Sequence, residues 1–370
     1  MEHMVYALLS FATTAFLIAA LLPKAEQLRL VDNAGGHKVH GHGTPLIGGI
    51  AMFGGLSLCV FFAPLPSNLY YMIFAAGILL LVGTVDDIVA LSPITRFLSQ
   101  ITASLIMILS ADVQLIDFGK LISNEIAYTG SWAIALSVFS TVGVINALNM
   151  SDGVDGLAGG FTLIALTGLG IAVAIAGTPP ITSLFTILIG VISAFLLFNM
   201  RTPWQGKART FMGNGGSMVL GLVLAWLFID LSQASSGRVI TPITALWLLA
   251  LPLIDTVVIM TRRLMKGCSP FAADREHLHH LIMAYGFTPG QSVAILLGAG
   301  TFFAAVGLLT RFFNFPEYVM FYSFVVLFIF SFTTICLAWR YYHQHTTRTV
   351  NSNQTQGNSA SIHLGPRQRK

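Results

Sequence analysis

The sequence predicts an all-α, polytopic integral membrane protein, and three observations carry that expectation. Only 9% of the 370 residues are charged and 55% are hydrophobic, whereas an ordinary soluble domain carries roughly 25% charge. The mean hydropathy is +0.78. The apolar residues also gather into runs of about 20, the length that crosses a bilayer as a helix. Together these exclude a water-soluble fold. Backbone groups in lipid must be satisfied within their own segment, so runs of this length are helices.

About eleven spans are expected, at 4–23, 46–64, 69–85, 97–111, 131–149, 157–177, 181–199, 216–231, 241–261, 291–310 and 318–339. The first is too long for the core of a signal peptide and lacks a small-residue cleavage site, so it is read as a retained anchor. The second ends at Ala63-Pro64-Leu65-Pro66, the third at Asp86-Asp87. The fourth and eighth are the shortest. Gly177-Thr178-Pro179-Pro180 separates the sixth from the seventh, since glycine and proline punctuate such joints. Asp255 lies inside the ninth and is read as a buried hydrogen bond to a neighbouring helix. Residues 1–340 form one transmembrane domain on this reading. Residues 341–370 are rich in Asn, Gln, Ser and Thr and are expected to be a disordered tail. Cys59, Cys268 and Cys336 lie far apart without metal-ligand spacing and are taken as packing residues.

The basic residues orient the bundle. With eleven spans, all of the 19 Lys and Arg except Lys120, Arg238 and Arg311 fall on one face. That face is therefore expected to be cytoplasmic, with the N-terminus outside and the C-terminus inside. The acidic and imidazole-rich motifs fall on the same face, although the helix assignment did not use them.

Asp86 and Asp87 end an apolar helix at its negative pole, where two acids are unfavourable without a cation. Adjacent helical residues diverge by about 100°. One of them can therefore hold a metal while the other orients or deprotonates a nucleophile. A second motif runs Asn146-Ala147-Leu148-Asn149-Met150-Ser151-Asp152-Gly153-Val154-Asp155-Gly156. Three residues apart, Asp152 and Asp155 are expected to share one face of a helical first turn. Its glycines would admit an anion to backbone N–H groups. Phe211-Met212-Gly213-Asn214-Gly215-Gly216-Ser217 reads as a weaker, second glycine-rich nest, with Phe211 available to stack on a base. The segment Asp274-Arg275-Glu276-His277-Leu278-His279-His280 lacks a good zinc ligand set. Arg275, His277, His279 and His280 look instead like donors to phosphate.

In this order and on this topology, the motifs resemble the polyprenyl-phosphate N-acetylhexosamine-1-phosphate transferases over nearly the whole chain, to residue 340. The last cytoplasmic loop is most similar to that of the branch acting on UDP-N-acetylglucosamine. The resemblance implies eleven helices, a site on the cytoplasmic face of a bacterial inner membrane, and dependence on Mg²⁺ with Mn²⁺ as a substitute. It also implies UDP-GlcNAc and undecaprenyl phosphate as partners within the lipid bilayer, with no nucleic acid, and leaves a homodimer open. The expected reaction yields undecaprenyl-diphosphate-GlcNAc and UMP, an initiating step of surface polysaccharide (O-antigen or related glycan) synthesis. Asp86 and Asp87 would serve the metal and the lipid phosphate. Asp152 and Asp155, supported by Asn149, would hold the nucleotide sugar. One departure stands out: the family usually places an aspartate, a metal ligand, where this chain has Asn214. An amide oxygen still binds Mg²⁺, with one negative charge fewer. A relative using another UDP-N-acetylhexosamine, or an ion-coupled transporter, is the competing reading.

Overall fold

The computed structural model describes residues 2–32, 43–177, 179–234, 237–270 and 276–362, with side chains omitted at 179–180 and from 345 onward. The helices are α1 (Glu2–Leu21), α2 (Gly48–Phe62), α3 (Leu69–Val89), α4 (Pro93–Ala111), α5 (Ala133–Ser151), α6 (Leu157–Ala176) and α7 (Pro179–Asn199). They continue as α8 (Gly213–Gln233), α9 (Pro242–Leu248), α10 (Ala250–Met265), α11 (Leu278–Ala284), α12 (Pro289–Phe312) and α13 (Glu317–Ile362). A short antiparallel pair, β1 (Val31–Asp32) and β2 (Thr44–Pro45), follows the first helix. The expected all-α polytopic architecture is what the chain adopts. Among the described residues, nine helices are long and apolar enough to cross a membrane.

Each expected span coincides with helix, and the differences have local causes. The fourth begins at Pro93, whose missing N–H suits a first turn, with the Ser92 side chain accepting from Thr95 N. The ninth is two helices, α9 and α10, bent by 82° at Leu249. Pro252 sits in the first turn of α10, where no N–H is needed; a helix running straight through would clash there. Helix α13 continues without a break from its apolar stretch to Ile362.

Helix α8 is the axis of the bundle and is buried along nearly its whole length. Helices α2, α3, α4, α5 and α6 pack around it, with α1 and α7 beyond α2 and α12 beyond α6. The core is Leu79, Ile145, Leu148, Leu222, Trp226 and their neighbours. Outward-facing Phe16, Phe61, Phe74, Leu81, Phe139, Phe302 and Phe330 are exposed, as a lipid-facing surface requires. The close approach of α3 to α8 depends on glycine: a Cβ on Gly83 would lie 2.3 Å from the backbone of Gly215. This contact brings the acidic end of α3 against the N-terminus of α8. Of the cysteines, Cys59 is buried and Cys336 is half-buried. Cys268 is exposed, so the packing role expected for it does not hold.

Candidate active site

The four acids singled out in the sequence, Asp86, Asp87, Asp152 and Asp155, line one cavity of 560 Å³ at one end of the bundle, together with Asp32, Phe211 and Asn214. The two acids of α3 divide their partners. Asp86 is buried. Its Oδ1 accepts from Leu91 N at 2.7 Å, and its Oδ2 from Arg96 Nη1 at 3.2 Å and Asn214 Nδ2 at 2.8 Å. It therefore closes the turn from α3 to α4, where Ala90 takes the left-handed conformation. Asp87 accepts the backbone N–H of Asn214 at 3.1 Å on each oxygen. Gly213 makes that contact feasible: its φ is +72°, and a Cβ there would lie 2.5 Å from Asp87 Oδ2.

Asn214 sits between these acids and Asn149. Its Oδ1 accepts from Asn149 Nδ2 at 3.2 Å, and the same Nδ2 donates to Ser217 Oγ at 2.8 Å. Asn149 thus stands behind Asn214 rather than in the cavity wall.

Asp152 and Asp155 do not lie on a helical first turn as expected. Helix α5 ends at Ser151, α6 starts at Leu157, and Gly156 with φ +86° turns the chain between them. The turn is held from α7: Asn199 Oδ1 accepts from Gly156 N at 2.7 Å and its Nδ2 donates to Thr210 O at 2.9 Å. Asp155 Oδ2 accepts from Arg201 Nε at 2.7 Å and from Ala208 N at 3.2 Å. Asp155 is therefore latched to the 201–208 loop. The Asp152 carboxylate, in contrast, has no hydrogen bond or ion pair to any described residue. Burial, then the charges of Asp87 and Asp155, push it well above the usual carboxylate range.

Phe211 reaches the cavity because its strand-like segment is tied down, with Phe211 N donating to Pro45 O at 2.8 Å and Gly48 N to Phe211 O at 3.0 Å. The same pairing brings Asp32 and Leu46 into the wall. The sequence reading passed over Asp32, although an acid after the first apolar helix on the motif-bearing face was a usable signal.

The histidines form a separate layer beside the cavity. The His277 and His279 rings stack 5.5 Å apart at 6°, and His279 lies 4.2 Å from His280. His279 is 2% exposed and its Nε2 has no hydrogen-bond partner among the described residues. It abuts Gly153, where a Cβ would lie 2.9 Å from that nitrogen. Burial and its two neighbours push the His279 imidazole down to about 3. Asp255 makes the buried hydrogen bond to a neighbouring helix that the sequence suggested, its partner being the start of the short helix α11. It accepts from His277 Nδ1 at 2.9 Å and Leu278 N at 2.9 Å. Glu276 holds the loop from outside, paired with Arg262 at 2.9 Å and Lys266 at 2.6 Å. Its carbonyl accepts from Trp339 Nε1 at 3.0 Å. Arg275 lies outside the described residues.

Carboxylate and amide oxygens suit a hard divalent cation such as Mg²⁺ or Mn²⁺. Asp86, Asp87, Asp152, Asp155 and Asn214 present such oxygens to one cavity, and Asp152 has no hydrogen-bond partner among the described residues, so the donor set fits. No group of three His, Cys, Asp or Glu among the described residues stands ready to ligate one ion.

Helices enclosing an acidic cavity at one end of a lipid-facing bundle define a polytopic membrane protein with a candidate active site, and comparison with known proteins gives its class. Residues 69–232 match the model of glycosyl transferase family 4. The chain is 33% identical over 341 residues to the undecaprenyl-phosphate alpha-N-acetylglucosaminyl 1-phosphate transferase of Escherichia coli K12, covering 89% of each. It is 33% identical to the enzyme of the same name from Haemophilus influenzae, covering 88% of this chain and 92% of that one. For the Yersinia pestis enzyme the identity is also 33%, covering 85% and 87%. The chain belongs to glycosyl transferase family 4.

Proposed function

We propose that the protein transfers N-acetylglucosamine 1-phosphate from UDP-GlcNAc to undecaprenyl phosphate, giving undecaprenyl-diphosphate-GlcNAc and UMP. The carrying observation is the convergence of Asp86, Asp87, Asp152 and Asp155 on one cavity at the end of lipid-facing helices. The names of the relatives support the same substrates. An oxygen of the lipid phosphate attacks the sugar-linked phosphorus; the bond to the bridging oxygen breaks and UMP leaves with its electron pair. The long apolar tail reaches the cavity sideways between helices, because moving it through water is costly.

The residues divide this work. Asp86 accepts three donors and fixes the end of α3, whereas Asp87 accepts the backbone N–H of Asn214, which leaves Asp87 the more lightly held of the pair to position the attacking phosphate. Asp152 and Asp155 hold the nucleotide sugar, with Phe211 against the base and Asn149 acting through Asn214. Arg275, His277, His279 and His280 meet the phosphates. Asp86, Asp87 and Asn214 would hold Mg²⁺ or Mn²⁺, which when bound offsets charge on the diphosphate. The apolar runs support eleven spans, and the distribution of Lys and Arg then supports the N-terminus outside and the cavity on the cytoplasmic face of a bacterial inner membrane. Residues 1–340 then form the catalytic unit, residues 341–370 a tail outside it, and the product initiates a surface polysaccharide.

A transporter would use its broken helix near mid-membrane. Here the carboxylate beside that break, Asp255, is engaged by the histidine loop. The decisive experiment measures UMP release from several UDP-sugars in detergent, with and without a polyprenyl phosphate. Release only with UDP-GlcNAc and the lipid supports the reading. Preference for another UDP-N-acetylhexosamine would move the chain to a different branch, and no lipid-dependent release from any of them would refute the proposal.

A further inference from the structure

We propose that Asp255 is a positioning residue for phosphosugar transfer: it fixes the orientation and tautomer of His277 and thereby seats the stacked imidazoles against the Asp152 turn. Asp255 lies inside α10, a few residues past the 82° break, and is buried. A carboxylate at such depth is costly unless it is fully engaged. Both its oxygens are used, and both point to the same place: Oδ2 to His277 Nδ1 and Oδ1 to the backbone N–H of Leu278, each at 2.9 Å. The second contact satisfies an N–H at the start of α11, where no residue of that helix can accept it. The first fixes a ring.

The consequence follows from donor and acceptor types. A carboxylate only accepts, so Nδ1 of His277 carries a proton and Nε2 is the nitrogen left for other chemistry. The fixed ring is then the base of a stack: His279 lies parallel to it at 5.5 Å, and His280 packs against His279. His279 also meets Gly153, which lines the acidic cavity. Asp255 thus sits at one end of a continuous contact path whose other end is the turn carrying Asp152. The bend at Leu249 turns α10 away from the direction of α9 and carries Asp255 to this loop.

This inference rests on the transferase reading, in which the imidazoles face phosphate. Its test is Asp255→Asn, which keeps shape but presents an amide N–H that favours the opposite His277 tautomer, alongside His277→Ala and the double variant. Three quantities are read on the full-length protein in detergent: lipid-dependent UMP release, melting temperature, and ¹⁵N shifts of the histidine rings, with the His277 signal identified by its loss in His277→Ala. The wild type should show His277 protonated on Nδ1. Asp255→Asn should reverse that signature and lower kcat by at least about tenfold, the scale on which losing the carboxylate behind a functional histidine is felt. KM should change less, and the double variant should be no slower than His277→Ala alone. The proposal is overturned by wild-type turnover in Asp255→Asn, by losses that multiply in the double variant, or by a lowered melting temperature with normal turnover per folded molecule. If the wild type releases no UMP, the transferase reading fails by itself. The ring shifts then still decide the Asp255–His277 pairing, and a wild-type ring protonated on Nε2 alone would overturn it.

Discussion

Asn214 holds both acids of α3 at once: its side-chain amide donates to Asp86 at 2.8 Å, and its backbone N–H lies 3.1 Å from each oxygen of Asp87. Asn149 sets the sense of that amide by donating to its Oδ1. A flipped amide would put two NH₂ groups face to face and an oxygen against Asp86. The substitution of an amide for the aspartate usual in the family therefore does more than remove a charge. It turns a repulsive neighbour of Asp86 into a donor.

Asn214→Asp tests this. A carboxylate at that place faces Asp86 with like charge, so the melting temperature in chelator should fall below that of the wild type. Added Mg²⁺ should recover more stability than it does in the wild type. If the side chain lies in the coordination sphere, apparent Mg²⁺ affinity should tighten several-fold, on the order of 1 kcal/mol for one added ligand charge. An unchanged titration by thermal shift and by activity would leave Asn214 as a bridge between acids and nothing more.

Metal removal has a plain expected outcome. Excess chelator should abolish transfer, and Mg²⁺ or Mn²⁺ should restore it. Asp87→Asn should lower turnover by orders of magnitude with little change in folding. Asp86→Asn should lower both, because Asp86 also accepts from Leu91 and Arg96. Undiminished UMP release in excess EDTA would sink the metal assignment.

Asp152→Asn should separate stability from activity. Burial and the charges of Asp87 and Asp155 raise this group's native pKa above its unfolded value of about 3.9. The native state therefore holds the proton more tightly, and stability is lost as pH rises from the unfolded value through the native one. The neutral amide removes that cost. Its melting temperature at pH 7.5 should exceed that of the wild type while turnover falls; a variant less stable at neutral pH would show that Asp152 is not under strain.

The histidine loop gives the opposite sign. The native His279 pKa of about 3 lies below the unfolded value of about 6.5. As pH falls below 6.5 the unfolded chain takes up a proton that the native one refuses, so stability is lost toward pH 3. His279→Ala should shrink the drop in melting temperature between pH 7.5 and 5. Measured on the same samples, His279→Ala, His280→Ala and Arg275→Lys should each impair turnover more than stability, the last because lysine lacks the planar fork. Near-normal kinetics in all three would remove this loop from the active site.

The spans were legible because a helix facing lipid records its length directly in hydropathy. Even α2, 15 residues long, lies inside its expected segment. The same topology placed the acid-bearing end of α3, the Asp152–Asp155 segment after α5 and the histidine loop on one face. Where the reading went astray, the cause was contact between distant segments. Asp152 and Asp155 were placed on one helical turn, but Gly156 turns the chain there and Asn199, 43 residues away, holds it. For Asp255 the helix-to-helix bond is present, but which helix takes part was not legible: it is the short α11, reached through Leu278 N and the preceding His277.

Composition and the length of the apolar runs by themselves determined that this is an α-helical membrane protein, and its motifs in order pointed to the family. Both properties are written locally, one as apolar length and the other as short strings of acids, glycines and histidines. The tertiary structure decided which acids are engaged and which are not. It gave Asp86 three donors, latched Asp155 to Arg201, and left Asp152 in the cavity without a hydrogen-bond partner among the described residues. It also carried Asp255 to the histidines through the bend at Leu249. A carboxylate's behaviour depends on which donors and charges lie within a few ångströms. Those neighbours come from helices that the chain brings together only by burying α8 at the centre of the bundle.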